Sequence, residues 1–547
     1  MRKSTIALFA FLLVTLPFLA QNDPYLWLEE IDGEKALDFV EEQNKITLEK
    51  LQKVEEYDKI YDTCLEIYNS SDKIMYPTIY GDHVYNFWQD ADHVRGIWRR
   101  SPKDDFLEGT PKWDILLDLD KMSEDDGIKW VYKEVSGLYP DYDRFLVSLS
   151  KGGGDAVVIK EFDANTKSFV EDGYSVGESK GGHSFIDKNT VVISTDFGEG
   201  SMTPSGYPRQ VKVWKRGTPL EEAELIFECK PDNVSAGGYV LRDGSRSFTI
   251  LYTYKTIFTS ERFVWKNNKA IKLDIPDDSS IELLQDNQLV LDLKSDWTVN
   301  GKTFNSGSIV GVNFKELVEG NQEIQLILEP DEFSSVTGIS STKNKMIVNL
   351  LSNVSSELHI YDFDGEKWNS KKVDAPELGT ISVIDTDEFT DQYFFQYANF
   401  LTPSTIFLAD AENGEVFAYK SLPSYFDDSK YEVHQYKSKS KDGTLVPYFV
   451  VGPKDMKLDG TNPTLVYAYG GYQVPILPFY SGTFGTSWLE NGGVFVLANI
   501  RGGGEYGPKW HQAGLKEKRQ NVFDDFYSVA GDLIQKKITS SSHLGAM

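Results

Sequence analysis

The sequence predicts a seven-bladed β-propeller followed by the first part of an α/β domain. The propeller prediction rests on seven short apolar runs, which recur roughly every 45 to 60 residues, the repeat length of four-stranded blades. Gly, Asp, Asn and Pro residues, which favour turns, separate the runs. The α/β prediction rests on two apolar strands and an amphipathic helix after residue 429. The seven runs are Val84–Trp88, Phe145–Leu149, Val191–Thr195, Phe248–Tyr252, Leu289–Leu293, Met346–Leu350 and Tyr393–Tyr397.

The stretch from residue 73 to residue 428 has an alternative interpretation as two stacked β-sandwiches. A length of about 355 residues without an interruption of helical periodicity favours the propeller. Further strands follow the runs, for example Gln210–Trp214 and Arg262–Trp265. We therefore assign residues 73–428 to the propeller.

Residues 1–20 have the pattern of a signal peptide. Arg2 and Lys3 precede an apolar stretch from Ile6 to Leu19, and the small residue Ala20 stands at the expected cleavage point. The stretch is short for a membrane span, and no later stretch reaches about 18 apolar residues. We expect an exported protein that has no membrane segment after signal removal and is periplasmic if the cell is Gram-negative.

The charge and cysteine content exclude several classes of function. The chain has 84 acidic and 56 basic side chains, a formal net charge of −28. Nucleic-acid binding needs clustered Lys and Arg, so no nucleic-acid partner is expected. Cys64 and Cys229 are the only cysteines, too few for a disulfide scaffold or a cysteine-based zinc site. The histidines show no metal-ligand spacing, so we expect no metal, and nothing suggests an organic cofactor.

Two segments flank the predicted propeller. Residues 21–72 are predicted to be helical, because apolar residues recur there at helical spacing. After residue 429, a hairpin of Tyr431–Ser438 and Leu445–Val451 precedes two near-continuous apolar runs. These runs, Thr464–Tyr469 and Val494–Ile500, are typical of strands buried on both faces. An amphipathic helix over residues 522–537 then completes the opening of an α/β domain.

Four segments of the chain resemble the prolyl oligopeptidase family of serine peptidases. Two are Asp23–Glu29 and Asn86–Asp90. The other two are more specific: Tyr467–Tyr472, which reads Tyr-Ala-Tyr-Gly-Gly-Tyr, and Asn499–Gly507, which reads Asn-Ile-Arg-Gly-Gly-Gly-Glu-Tyr-Gly. The resemblance implies an α/β-hydrolase domain assembled from both chain ends, 21–72 and 429–547. It also implies that the propeller restricts access to small peptides.

The resemblance assigns roles to two tyrosines. Tyr469 matches the tyrosine whose hydroxyl stabilises the oxyanion of acyl transfer, a contribution worth several kcal/mol. Tyr472 matches an aromatic position beside the substrate pocket. The alternative for both is an ordinary aromatic residue at a strand end. In the neighbouring segment, three glycines permit close backbone approach, and Arg501 and Glu505 could form an ion pair.

The catalytic triad of the family is missing from the sequence. In the family, the helix matching Val522–Lys537 leads to a strand that ends in Gly-Gly-Ser-Asn-Gly-Gly, whose serine is the nucleophile. This sequence reads Ser542-His543-Leu544-Gly545-Ala546-Met547 and then ends. We therefore expect a truncated peptidase that lacks the serine, the acid and the histidine and is inactive alone.

A substitute nucleophile has a weak candidate in two overlapping Gly-x-Ser-x-Gly segments, which contain Ser175 and Ser179. A nucleophile elbow needs a buried apolar strand before the serine and a helix after it. Glu171 and Asp172 precede these segments and Gly181-Gly182-His183 follows them. This composition favours a turn between blade strands over a catalytic site.

Two functional hypotheses remain. The first is a prolyl-oligopeptidase-like serine peptidase that hydrolyses short peptides, with cleavage after proline, through an acyl-enzyme. The second is a non-catalytic propeller that binds peptides. The close match around Tyr469 favours the peptidase, because a binding module has no need of an oxyanion donor.

Overall fold

A computed structural model describes residues 23–547 of the protein. It divides into two compact units, one up to Glu66 and one over Ile67–Met547. The predicted signal peptide, residues 1–20, lies outside the described residues, so export remains a prediction. Among the helices of residues 23–547, none is both long and apolar enough to cross a bilayer.

The first unit is helical, as the sequence predicts. A 3₁₀ turn at Leu26–Glu29 precedes helix α1 (Glu34–Leu51), and helix α2 (Tyr57–Tyr68) follows. The Trp27 ring packs edge to face on Phe39 of α1, with ring centroids 5.6 Å apart. This contact fastens the 3₁₀ turn to the helix.

Each of the seven apolar runs lies in the second strand of a four-stranded antiparallel sheet, so the seven-bladed propeller is confirmed. Blade 1 contains β1 (Thr78–Tyr80), β2 (His83–Trp88), β3 (Ile97–Pro102) and β4 (Asp114–Asp118). Blade 2 contains β5 (Trp130–Gly137), β6 (Arg144–Lys151), β7 (Val157–Asp163), β8 (Ser168–Phe169) and an additional strand, β9 (Ser175–Ser179). Blade 3 contains β10 (Gly182–Asp187), β11 (Thr190–Ser194), β12 (Gln210–Lys215) and β13 (Glu224–Glu228).

The remaining four blades follow in chain order. Blade 4 contains β14 (Ser235–Asp243), β15 (Arg246–Thr256), β16 (Thr259–Lys266) and β17 (Lys269–Lys272). Blade 5 contains β18 (Ser280–Gln285), β19 (Gln288–Asp292), a separate hairpin of β20 (Trp297–Val299) and β21 (Lys302–Phe304), then β22 (Ile309–Asn313) and β23 (Ile324–Leu328). Blade 6 contains β24 (Ser334–Ser341), β25 (Met346–Ser352), β26 (Ser355–Phe363) and β27 (Trp368–Lys372). Blade 7 contains β28 (Thr380–Thr386), β29 (Gln392–Ala398), β30 (Thr405–Asp410) and β31 (Val416–Ser421).

Three short helices within the propeller were not expected from the sequence. They are α3 (Lys103–Leu107), α4 (Leu119–Asp126) and α5 (Phe314–Val318). Their local signals are caps rather than periodicity: Asp118 accepts a hydrogen bond from the Lys121 N–H at 3.0 Å, and Gly127 ends α4 in the left-handed region. Helices of five to eight residues are too short to show a repeating apolar face.

Seven clusters of buried apolar side chains fill the seven spaces between neighbouring blades. Between blades 1 and 2, for example, the rings of Trp98 and Phe145 meet edge to face with centroids 5.1 Å apart. The second strand of a blade is covered on both faces, as in β6, where six consecutive residues are buried. This double burial explains why the second strands stand out in the sequence as apolar runs.

The ring closes between blades 1 and 7 without a shared strand. Every blade takes its strands from one continuous stretch of chain. The closure therefore depends on side chains: the rings of Phe106 and Phe394 pack 5.9 Å apart, and Lys103 Nζ lies 2.8 Å from the buried Asp387 carboxylate. We call these contacts the closing seam.

The C-terminal region forms a five-stranded sheet in the order β32, β33, β35, β34, β36. Its strands are β32 (Tyr431–Lys439), β33 (Leu445–Pro453), β34 (Thr464–Tyr467), β35 (Val494–Ala498) and β36 (Leu544–Ala546). The helices of this region are α6 (Gly482–Phe484), α7 (Gly507–Gln512) and α8 (Gln520–Gln535), with a π-helical segment at Gly485–Leu489. The sheet is antiparallel up to β35, and β35, β34 and β36 run parallel.

Both faces of this sheet are buried. Tyr448 and Val450 of β33 pack with Val529 and Leu533 of α8 on one face. The alternate residues, Phe449 and Val451, lie on the opposite face, in a cluster that includes side chains of the propeller. The propeller and this sheet therefore pack together within the second unit, and side chains of the propeller cover one face of the sheet.

The closing seam generates a stability prediction. Substitution Lys103→Met leaves the Asp387 carboxylate buried without its cation, and we expect the free energy of unfolding to fall by about 2 to 3 kcal/mol. The control is Lys112→Met, which removes an exposed ion pair with Asp105 and should cost less than about 1 kcal/mol. Chemical denaturation measures both, and equal losses for the two variants would contradict the assigned role of the seam.

Candidate active site

Two loops meet at the carboxyl edge of the parallel strands. The tyrosine loop, Tyr469–Ile476, follows β34, and the glycine loop, Arg501–Gly507, follows β35. Strand β36 ends at the same edge, where the Met547 N–H donates to the Val466 carbonyl at 2.9 Å. Ligands of open α/β sheets bind at this edge, so the two loops occupy the expected place for a site.

Both tyrosines predicted from the resemblance lie on the tyrosine loop with accessible side chains. Tyr469 is 46% exposed and Tyr472 is 70% exposed, whereas Gly470 between them is buried. Exposed phenol groups at the edge of a buried sheet can donate a hydrogen bond to a ligand. The structure thus leaves both side chains available for the predicted roles.

The backbone of the tyrosine loop adopts an unusual conformation. Gly470, Tyr472 and Gln473 have φ values of 64°, 52° and 59°. Glycine tolerates this left-handed region, whereas each non-glycine residue there costs roughly 1 kcal/mol. The loop therefore needs contacts from outside itself to keep its shape.

The glycine loop supplies such contacts by packing backbone against backbone. A Cβ on Gly502 would lie 2.4 Å from the Gly470 carbonyl oxygen, and one on Gly504 would lie 2.1 Å from the Gln473 carbonyl oxygen. A Cβ on Gly503 would lie 2.2 Å from the Glu505 carboxylate. Because real Cβ atoms do not approach backbone atoms so closely, the packing of the two loops requires glycine at positions 502 and 504.

The side chains of Arg519 and His511 also contact the tyrosine loop. Arg519 Nη1 donates to the Gly470 carbonyl at 2.7 Å. The Nδ1 atom of the buried His511 lies 2.7 Å from the Gly502 carbonyl oxygen and 3.0 Å from the Gln473 nitrogen. The Gln473 N–H therefore lies within hydrogen-bond distance of two acceptors, the His511 Nδ1 atom and, at 3.2 Å, the Gly502 carbonyl oxygen.

Arg501 anchors the glycine loop, but the predicted ion pair with Glu505 is wrong. Its Nε and Nη2 atoms donate to the buried Asp525 carboxylate at 2.8 and 2.6 Å, and Nη1 lies 2.5 Å from Asp442. Hydrogen bonds from Arg501 lower the pKa of Asp442 to about 2. Asp525 of α8 is fully buried and pairs with the glycine loop. Glu505 turns away from Arg501 and contacts the tyrosine loop.

The sequence analysis gave no role in the site to Asn499, His511, Arg519 or Asp525. Their partners lie 23 to 49 residues away in the chain for the contacts of Asp525 with Arg501, Asn499 with Ile476, His511 with Gln473 and Arg519 with Gly470. From sequence, a polar residue near the start of a helix is ordinarily predicted to be exposed. The available signal was the dense grouping of charged residues and glycines within one segment.

A cavity of about 410 Å³ lies behind the glycine loop. Its walls include Asp331 and Ser335 from the propeller and Gln473, Arg501 and Trp510 from the C-terminal region. The hydroxyl of Ser335 donates to the carbonyl oxygens of Gly504 and Glu505 at 3.1 and 3.0 Å. The propeller therefore contacts the glycine loop directly.

The two Gly-x-Ser-x-Gly segments do not form a site. Ser175 and Ser179 lie in strand β9, where the sequence predicted a turn, because β9 pairs with β7. The Ser179 hydroxyl bonds backbone groups of Lys180 and Asp196 at 2.8 and 3.0 Å. His183 is buried, and its ring nitrogens bond neither serine.

The residues of the structure offer no evident metal site. Across positions 23–547, no group of three or more His, Cys, Asp or Glu side chains is arranged to hold a metal ion. Cys229 is buried and Cys64 is half-buried, and both are free thiols.

Comparisons with known proteins match both regions of the chain. The family model described as "Prolyl oligopeptidase, N-terminal beta-propeller domain" matches residues 16–421, and the model described as "Prolyl oligopeptidase family" matches residues 480–547. The chain is 41% identical over 536 residues to the uncharacterized peptidase y4nA of Sinorhizobium fredii, covering 96% of this chain and 74% of the relative. It is 27% identical over 526 residues to a prolyl endopeptidase of Elizabethkingia miricola, covering 94% and 70%.

A solved structure is also similar to this chain over nearly its whole length. The structure described as a post-proline cleaving enzyme from Rickettsia typhi superposes with a TM-score of 0.87 at 31% identity. The match covers 95% of this chain and 78% of that one. The similarity therefore extends over the propeller and the C-terminal region together.

The packing of the two loops generates a prediction. Gly504→Ala places a Cβ against the Gln473 backbone, and we expect it to displace the tyrosine loop and lower the free energy of unfolding by about 1 to 3 kcal/mol. Gly531→Ala is the matched control, because a Cβ there meets no atom within 4 Å and alanine favours the helix. We expect Gly531→Ala to be neutral or to stabilise by up to about 1 kcal/mol. Thermal and chemical unfolding measure both, and a fully stable Gly504→Ala variant would refute the packing argument.

Proposed function

Because the chain belongs to the prolyl oligopeptidase family of serine peptidases, we propose that it acts on short peptides and cleaves after proline through an acyl-enzyme. The proline preference is supported by the printed descriptions of two similar proteins, a post-proline cleaving enzyme and a prolyl endopeptidase. The single observation that carries the proposal is the geometry of the tyrosine loop. An exposed phenol group stands at the carboxyl edge of the sheet, on a backbone held by the glycine loop.

The proposed role of Tyr469 is electrostatic. Attack on a peptide carbonyl creates an oxyanion, and the phenol hydroxyl can donate a hydrogen bond to it. The donor contributes most if it is already oriented, because no free energy is then spent on reorganisation during the reaction. The contacts of Gly502, Gly504, His511 and Arg519 with the loop supply this orientation. Tyr472, three residues further along, is proposed to contact the substrate.

The nucleophile is proposed to follow strand β36. By the resemblance, this strand leads into Gly-Gly-Ser-Asn-Gly-Gly, and its last residues lie beside Val466, near the start of the tyrosine loop. No Gly-Gly-Ser-Asn-Gly-Gly segment occurs in residues 1–547. We therefore propose that a chain of these 547 residues binds peptides but forms no acyl-enzyme alone.

The first prediction of this proposal concerns labelling by a fluorophosphonate, which reacts with activated serines. We expect the 547-residue chain to remain unlabelled. We expect the native protein from its source to label and to be roughly 150 to 200 residues larger, the size of the remaining hydrolase portion. Mass spectrometry of the labelled species measures both. Native protein of this length that never labels would favour the peptide-binding propeller, whereas labelling at this length would direct attention to Ser175 and Ser179.

The second prediction concerns Tyr469 in a protein that labels. Tyr469→Phe removes the hydroxyl and keeps the ring, so we expect kcat to fall about 100-fold with a small change in KM. Tyr527→Phe, on the exposed side of α8, is the control and should leave both constants unchanged. Steady-state hydrolysis of a proline-containing peptide measures the effect, and an unchanged kcat for Tyr469→Phe would remove this residue from the mechanism.

A further inference from the structure

The glycine loop buries a carboxyl group that has no cation. Glu505 is 2% exposed, and its Oε1 accepts hydrogen bonds from the Ile476 N–H at 3.0 Å and from Asn499 Nδ2 at 3.2 Å. Its Oε2 has no hydrogen-bond partner among the described residues. Burial raises the pKa of Glu505 to about 7. A carboxyl in this setting is costly, so its contacts deserve a functional explanation.

The contacts of Glu505 lie at the far end of the tyrosine loop. Glu505 holds the N–H of Ile476, and Asn499 Nδ2 donates to the carbonyl oxygen of the same residue at 2.6 Å. The same amide group of Asn499 also donates to Glu505, so the two side chains that hold Ile476 are hydrogen-bonded to each other. The N–H and the carbonyl of Ile476 are thus both held, three residues after the left-handed residues Tyr472 and Gln473.

We propose that Glu505 is a positioning residue that holds the tyrosine loop in the shape presenting Tyr469, and that its protonation controls how firmly the loop is held. The consequence for oxyanion binding rests on the proposed function. The coupling between Glu505 and the loop does not, since it follows from contacts within the chain.

The charges around Glu505 explain why its protonation matters. On its own loop, the guanidinium of Arg501 is engaged by Asp525 and Asp442, and burial raises the pKa of the neighbouring Tyr506 phenol. On α7, the Nδ1 atom of His511 contacts Gly502 and Gln473, and Lys509 lines the cavity together with Asp331 and Glu332 of the propeller. None of these groups forms an ion pair with Glu505. Ionisation therefore places an uncompensated charge in a dry site.

The direction of the pH effect follows from the raised pKa. The packed loop binds the Glu505 proton more tightly than an opened loop, in which the carboxyl returns to its ordinary value of 4.5. The stabilising contribution is therefore complete below pH 4.5 and is lost progressively as the pH rises through about 7. Above that range, opening the loop to hydrate the carboxylate becomes easier.

Hydrogen exchange on the full 547-residue chain tests the proposal. After correction for the intrinsic exchange rate, we expect protection of peptides covering residues 469–476 to be about tenfold weaker at pH 8 than at pH 6. Peptides from α8 serve as an internal reference and should keep their protection. In Glu505→Gln, which keeps the size of the side chain and cannot ionise, the pH dependence should vanish.

The matched control is Glu517→Gln, which removes an exposed carboxyl close by in the chain and should retain the tenfold change. Three results would overturn the proposal: equal protection at both pH values in the unsubstituted chain, a pH dependence that persists in Glu505→Gln, or a parallel loss of protection in α8. If Glu505→Gln does not fold, the pH dependence of hydrogen-exchange protection in the unsubstituted chain still tests the proposal. Failure of the native protein from its source to label with fluorophosphonate would overturn the proposed function and leave this coupling intact, so the two can be judged separately.

Discussion

The constraint on which this structure depends is that a four-stranded sheet with two apolar faces must be covered on both. A single blade cannot satisfy that requirement, because its apolar surface is free to solvent unless neighbours bury it. Seven blades satisfy it by closing into a ring with an apolar cluster in each of seven spaces. The last space is filled without a shared strand, so the side chains of the closing seam carry the final burial. The ring is as stable as its least covered interface.

The propeller also shapes the candidate site. The first strands of blades 6 and 7 begin at the side that meets the C-terminal region, where Ser335 donates to the glycine loop and Thr380 donates to the Pro478 carbonyl at 2.6 Å. The propeller therefore holds the glycine loop and the segment that follows the tyrosine loop, while Tyr469 remains 46% exposed.

Within the site, two buried acids illustrate opposite solutions to the cost of burying charge. Asp525 has a bidentate partner in Arg501, so a charged pair remains favourable inside the protein. Glu505 receives only neutral donors, and burial raises its pKa to about 7. The ion pair of Arg501 and Asp525 holds the glycine loop while both groups are charged. The contact of Glu505 with the tyrosine loop, by contrast, depends on whether Glu505 is protonated. Both acids lie within one short stretch of sequence, and their environments alone distinguish them.

The sequence by itself determined the fold class and its most apolar elements, but not the short helices of the propeller or strand β9. The second strands of all seven blades and the helix α8 follow from apolar periodicity, and Tyr469 and Tyr472 follow from the resemblance of one short segment. The sequence did not determine which residues contact each other. It suggested Arg501 with Glu505, whereas the fold pairs Arg501 with Asp525 and aims Glu505 at Ile476. It placed Ser175 and Ser179 in a turn, whereas pairing with β7 makes that segment a strand. The reason is physical. Periodicity shows which side of an element is buried, whereas contacts between loops depend on how closely their backbones approach, and here Gly502 and Gly504 permit that approach because they have no side chains.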